Sequence, residues 1–491
     1  MLVIHFRNAV LSSGKCYLLV GLLAVFQVHG QNMAARKTAE WSLQQCVDYA
    51  IKNNISIKQA DVQARLAALQ LQQAKLYQYP SVAFSTNIGP QFGRSIDPTT
   101  NAFSNTELLS QNYSLQGGVQ LYNWGRLKHN LAANQFSALA ALADAEKTAT
   151  DVSLNVATAY LQVLGAKEQL HVFDIQIAQT AEQLHITRKR VTAGALPELN
   201  LVELEAQLAN DSSNYISAYS TFQQNKLSLK ALLNLDAAAD FEVATPPLNG
   251  IPLQPLADLQ PEAVYQLALN TQPAQKANLL KTKAAEKNVL ANKAALYPTI
   301  TGNYSLGSIY NNKAQNVTSA TLTNAPIGKV TVNNIDYTVY TPYNQYSYGK
   351  TPYVTQLNNN FRQSVGLGLS VPIFNNGQNK IAYENAKLNL LGTQLQQDQA
   401  NQKLKQDVYT AYANAIAALQ KYQASVRSIQ SAQKAYDFAL KRYEVGLLGT
   451  LDLITNQNNL SKARIQALIN QFDYIFRMKL LEFYKGQQIT F

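Results

Sequence analysis

The residues able to do chemistry in this 491-residue chain are few and poorly spaced for it. Of five histidines, His5 and His29 lie close to the N-terminus, and His129, His171 and His185 recur at no metal-ligand interval. The patterns HExxH, CxxC, GxSxG and a glycine-rich phosphate loop do not occur. Cys16 precedes an apolar run and follows Lys15, which argues against a lipoprotein cut there. Cys46 is then the one thiol left after maturation, with no partner for an internal disulfide; it reads as a half-buried apolar position on a helix. Enzyme chemistry, a cofactor and a metal site are therefore not expected.

Composition turns attention to surfaces. Charged residues make up 14% of the chain, yet mean hydropathy is −0.17, because Gln, Asn, Ser and Thr replace charge. Such a chain lines water without strong fields, and its scattered Lys and Arg do not build a nucleic-acid groove. Residues 1–30 read as a secretory signal: Arg7 and Lys15 precede the apolar run Leu18 to Val28. Its removal takes formal charge from +11 to +9. Beyond it no apolar run is long enough for a membrane helix, so a membrane is reached only as a closed barrel.

The elements that position everything else are written twice. AKLYQYPSVAFSTNIG around Tyr79-Pro80 answers KAALYPTITGNYSLG around Tyr297-Pro298, a shift of 218 that also superposes Ala50 on Ala268 and Lys58 on Lys276. LYNWGR at 121–126 answers IFNNGQ at 373–378, a shift of 252 that carries Thr158-Ala159-Tyr160 onto Thr410-Ala411-Tyr412, Arg190 onto Arg442 and Gly194 onto Gly446. A 34-residue insertion, between about 90 and 113 in first-copy numbering, reconciles the two shifts. The copies run about 41–235 and 259–487, separated by a Pro-rich linker, DAAADFEVATPPLNGIPLQPLADLQP. The organisation is then a signal at 1–30, a first repeat with its linker at 31–258, and a second repeat at 259–491.

Each copy carries two stretches of period-two alternation. Val82, Phe84, Thr86 and Ile88 alternate with small or polar residues, as do Leu115, Gly117, Val119 and Leu121. In the second copy Ile300, Gly302, Tyr304 and Leu306 do the same, then Val365, Leu367, Leu369, Val371 and Ile373. Tyr77, Tyr79, Tyr122, Trp124, Tyr297 and Phe374 cluster where these strands meet helices, as an interfacial girdle does; sealing an ordinary core is the competing reading. From Arg126 to Lys189 and from Gln378 to Glu444 there is no proline and one glycine each. Ala138, Leu142, Ala145, Ala149, Val152, Val156, Ala159, Val163, Ala166 and Leu170 follow at spacings of four and three, as do Leu404, Val408, Ala411, Ala415, Ala418 and Tyr422. These are coiled-coil seams on helices of about 100 Å. Four strands per chain cannot close a barrel with a lumen, so several chains must share one. Residues 311–360, rich in Asn, Thr and Tyr, are expected as a solvated extracellular loop, with glycan binding as the lesser alternative.

The duplicated plan, with turns reading RVTAGALPELNLVELEAQL at 190–208 and RYEVGLLGTLDLITNQNNL at 442–460, resembles the TolC-like outer membrane efflux protein family over about 41–487. The resemblance implies an α+β membrane protein. Three chains give a shared β-barrel of four strands each, and the two repeats of every chain interleave into that barrel and a periplasmic α-barrel. It implies an exit duct of a tripartite efflux or type I secretion system. The implied partners are a homo-oligomer (a trimer), a periplasmic adaptor, an inner-membrane RND-type or ABC transporter, and outer-membrane lipid. It places Asp452 at the periplasmic aperture, with Thr455 where a further acid is expected and Asn200 and Glu203 at the first-copy equivalents. An Arg that latches the mouth in some relatives falls near Leu448 and is absent here. Asp452 also suits a helix start in its own right. The small apolar turns, with Gly194, Leu196, Gly446, Leu447 and Leu448, are the expected adaptor-docking tips. A trimeric coiled-coil surface protein would explain the seams but not the paired strands.

Overall fold

The computed structural model describes residues 40–96, 101–245 and 253–487; the expected signal and Cys16 lie outside them. The first repeat opens with β1 (Glu40–Trp41), α1 (Leu43–Asn53) and α2 (Ile55–Leu76). A capping box starts α1: Gln45 N donates to Ser42 Oγ at 3.3 Å, and Ser42 N donates to Gln45 Oε1 at 2.9 Å. Asn54 ends α1 and caps α2, its Oδ1 accepting from Ser56 N at 2.8 Å. Then come β2 (Ser81–Ile96), β3 (Phe103–Tyr122), α3 (Arg126–Thr192), α4 (Glu198–Leu233) and β4 (Glu242–Val243).

The second repeat follows the same course through α5 (Pro261–Thr271), α6 (Pro273–Ala294) and β5 (Thr299–Asn311). It then departs into β6 (Gln315–Val332), β7 (Ile335–Lys350) and α7 (Tyr353–Asn359) before β8 (Arg362–Ser370), α8 (Gln378–Glu444) and α9 (Thr450–Tyr484). The helices before the sheet begin and end 218 positions apart, and α3 and α8 begin and end 252 apart. The insertion is thus confined to β6, β7 and α7. Where a solvated loop is expected, the structure has a two-stranded ribbon and a short helix; strand pairing satisfies a backbone that a loop would leave to water.

Strands β2, β3, β5 and β8 form one antiparallel sheet in the order β2-β3-β5-β8. Its register puts Val82, Phe84 and Ile88 on the same face as Leu115, Val119, Tyr304, Leu306, Val365, Leu367 and Leu369. Ser81, Ser85 and Asn87 share the other face with Ser114, Gln116, Asn303, Ser305 and Ser364. One face is greasy and the other wet, as a barrel wall between lipid and lumen requires. The expected alternation holds, except that β8 stops at Ser370, so Val371 and Ile373 are not strand residues. Pro372 accounts for that stop, since it cannot donate to a ladder.

Both crossings from sheet to long helix use one device. Trp124 and Asn376 have φ of 52° and 53°, followed by Gly125 and Gly377 at 78° and 75°. Asn123 and Asn375 bend back to accept from Leu127 N (3.3 Å) and Asn379 N (3.5 Å). Each of α3 and α8 then runs for 67 residues, about 100 Å. The seam is buried in its middle, at Val152, Val156, Ala159, Val163 and Ala166. Towards the sheet the seam is mixed, with Ala138 buried and Leu142 exposed in the single chain.

The midsection is a packed core. Leu43, Cys46, Val47 and Ala50 of α1 meet Val156, Tyr160 and Leu164 of α3 and Leu229 and Leu233 of α4. Cys46 is fully buried rather than half-buried. The Tyr160 hydroxyl donates to the carbonyls of Trp41 (3.2 Å) and Ala244 (2.6 Å), tying β1 and β4 to α3. Residues expected as linker are core instead: Phe241 and Val243 belong to this cluster, and Leu259 is also buried. Leu259 joins Val264, Leu404, Val408, Met478 and Leu481 in the matching cluster of the second repeat.

Candidate functional site

At the far end of the helices, both hairpins turn in the same way. The helix before each turn ends in a left-handed glycine, Gly194 at φ 73° and Gly446 at φ 76°. Ala195 N then reaches Arg190 O at 2.8 Å, and Leu447 N reaches Arg442 O at 2.8 Å. This six-to-one bond is the Schellman ending, for which the positive φ is the requirement. Of the expected docking residues, Leu447 is 70% exposed, whereas Leu196 and Leu448 are half-buried. Leu448 packs on the cluster of Ala439, Tyr443 and Leu453. Val445, Leu199 and Leu451 complete the exposed apolar tip.

Asp452 lies exposed in the first turn of α9, where the helix dipole favours an acid. Asn200 and Glu203 hold corresponding places on α4 and are partly exposed. Thr455 is exposed but donates its hydroxyl to Leu451 O at 2.8 Å, so it is engaged with its own helix.

Three ties between hairpins are not singled out by the sequence. Thr187 Oγ1 and the Tyr443 hydroxyl are hydrogen-bonded at 2.9 Å in a buried position. Arg190 donates to Glu444 O at 3.4 Å, while its repeat equivalent Arg442 donates within its own turn, to Leu447 O. Higher up, the buried Asp211 carboxylate accepts from Gln176, Thr180 and Gln207, each at 2.7 Å. Gln457 of α9 donates to Thr180 at 2.9 Å, and Asn458 exchanges bonds with Gln207. The available signal is that Gln176, Thr180 and Thr187 continue the α3 seam spacing in polar residues.

At the sheet end, Tyr122, Trp124 and Tyr297 pack ring to ring at 5.4 and 5.0 Å. Tyr79 and Phe374 stand exposed near the same junctions. An upper aromatic rim also exists: Tyr353 of α7 packs on Tyr310 at 4.6 Å and hydrogen-bonds the hydroxyl of Tyr113. The apolar face of the sheet lies between these two levels. Among the described residues no helix is long and apolar enough to cross a membrane.

A duplicated chain with a two-faced sheet at one end and two 67-residue helices running away from it is the subunit of an outer-membrane channel with a periplasmic helical extension. Residues 46–235 and 264–474 match the family described as Outer membrane efflux protein, and the chain belongs to that family. It is 22% identical over 433 residues to the outer membrane efflux protein BepC of Brucella suis biovar 1 (strain 1330), covering 87% of this chain and 81% of BepC. It is 25% identical over 331 residues to the outer membrane protein TolC of Escherichia coli (strain K12), covering 65% of this chain and 59% of TolC. The crystal structure of the outer membrane protein VceC from Vibrio cholerae has the same fold, with TM-score 0.72 at 14% identity, covering 91% of this chain and 97% of VceC.

Proposed function

We propose that three copies of this chain form the exit duct of a tripartite efflux or type I secretion system. Residues 1–30 serve as the signal that sends each copy out of the cytoplasm. The observation that carries the assembly is the sheet: β2 and β8 are free edges of a wall whose outer face is apolar, and an open edge is not tolerated in lipid. Twelve strands close the wall, and the exposed parts of the seams are covered in the same step. A periplasmic adaptor then seats on the Gly194 and Gly446 tips, linking the duct to an inner-membrane RND-type or ABC transporter. The Asp452 side chains form an acidic ring at the periplasmic mouth, with Glu203, Asn200 and Thr455 around it.

Light scattering on protein in mild detergent tests the assembly. A single species of three chains is expected. A stable monomer that keeps its strand signal overturns the reading.

A further inference from the structure

The β6–β7 ribbon is the part of the chain that the duct does not require. The first repeat goes from strand to strand without it. It pairs 16 residues of β7 against β6 and closes on Asn333-Asn334, both left-handed at φ 53° and 63°, the two-residue turn suited to a twisted hairpin. At 3.3 Å per residue it extends about 50 Å. Its base is anchored to the sheet, where Asn312 N donates to Leu109 O and Leu109 N to Asn312 Oδ1, both at 3.0 Å, and is closed by Thr351 N donating to Ala314 O at 3.0 Å.

A two-stranded ribbon has no interior of its own and is marginal in water unless something covers a face. This one carries apolar rows to be covered. In the stem Val317, Leu322, Tyr340, Tyr346 and Tyr348 share one face; beyond the bulge at Pro326/Gly328, Val330, Val332, Ile335, Tyr337 and Val339 share the other. All ten are exposed in the single chain. Two-stranded ribbons twist strongly, and bulges add to the twist, so both rows can come round to one side.

We propose that the tip row is covered by the same row on neighbouring copies, so that the ribbons together roof the outer mouth of the barrel. The proposal rests on the shared-barrel reading. Three observations favour a second copy as the occupant. The ribbon continues directly from β5, so closing the barrel sets every copy's ribbon around one axis at one height. Its length exceeds the radius of a twelve-stranded barrel, about 12 Å from strand spacing and tilt, so each ribbon is long enough to reach the axis. Its only charges are Lys329, Asp336 and Lys350, so like surfaces meet with little repulsion.

Cysteine placed at Val330 or Tyr337 tests the tip row, with Thr338→Cys on the opposite face as the control. Cys46 is buried and does not compete. A short bismaleimide on purified oligomer is expected to link V330C and Y337C chains to one another, and T338C chains far less. Replacing residues 316–349 with a short turn is expected to leave the oligomer intact and raise single-channel conductance about two-fold or more, as removal of a constriction does. Equal linking at front and back, linking only to a different protein, or unchanged conductance in an intact oligomer overturns the roof. If the unmodified chain forms no oligomer in light scattering, the shared-barrel reading itself has failed.

Discussion

Thr180 donates its hydroxyl to the Asp211 carboxylate at 2.7 Å, and both side chains have no solvent exposure. A buried carboxylate persists only where donors replace its water, and here three neutral side chains from α3 and α4 do so. Since Thr180 also accepts from Gln457, the carboxylate fixes α9 in the groove between α3 and α4. Asp211→Ala removes the acceptor and strands three donors, which costs on the order of 3 kcal/mol or more. Thermal unfolding followed by helix signal is expected to show a clear drop, smaller for Asp211→Asn, which retains a carbonyl. An unchanged midpoint for the alanine variant would mean that the cluster is not what holds α9 in place.

Burial pushes the Cys46 thiol up to about 12, and burial, with the Cys46 and Glu40 charges, raises Tyr160 beside it. Both groups are held in their protonated forms by folding. Their contribution is therefore complete below the unfolded thiol value, near 9, and is lost as pH rises from there towards 12. The slope for one such group is at most about 1.4 kcal/mol per pH unit. Maleimide labelling at neutral pH is expected only after denaturation. Rapid labelling of the folded oligomer at pH 7 would contradict the buried placement.

Gly446 needs its positive φ and has open space where a Cβ would lie. Replacement by valine therefore strains the backbone, by about 1–2 kcal/mol, without a clash. Gly446→Val and Gly194→Val are expected to abolish export while outer-membrane assembly is retained, with Gly446→Asn milder because Asn tolerates this region. Normal export by both valine variants would argue against docking at the tips.

Asp452 is exposed at the start of α9, and the proposed assembly of three chains would bring three copies into a ring that attracts cations. In planar bilayers the channel is expected to be cation-selective and blocked by multivalent cations from the periplasmic side. Asp452→Asn should weaken both properties with little effect on folding, and Glu203→Gln should do so less. If Asp452→Asn keeps full selectivity and block, Asp452 is a helix-start residue and nothing more.

Much of this architecture is legible because it depends on local periodicity. The α3 and α8 bounds, the strand parity of Val82 to Ile88 and the left-handed glycines each follow from short-range pattern. The ribbon is not legible in that way, because its apolar row changes face at Pro326/Gly328 and breaks the period-two signal. The Asp211 cluster draws on three helices, with Asn458 and Gln457 lying 251 and 277 positions from Gln207 and Thr180, so no window contains it. The upper rim depends on α7 folding back onto the sheet, which brings Tyr353 to Tyr113. Phe241 and Val243 hide in a Pro-rich stretch whose composition suggests punctuation rather than core.

The agreement of the two repeats in helix bounds bears on ancestry. A chain of half this length, carrying one copy, could build the same wall and tube from twice as many subunits, but all its hairpins would then be alike. Fusing two copies lets alternate hairpins diverge. Asn200 now stands where its twin is Asp452, Arg190 reaches across where Arg442 turns inward, and one copy alone bears the ribbon. Duplication thus gave selection two kinds of position around one axis where a ring of identical halves offers one.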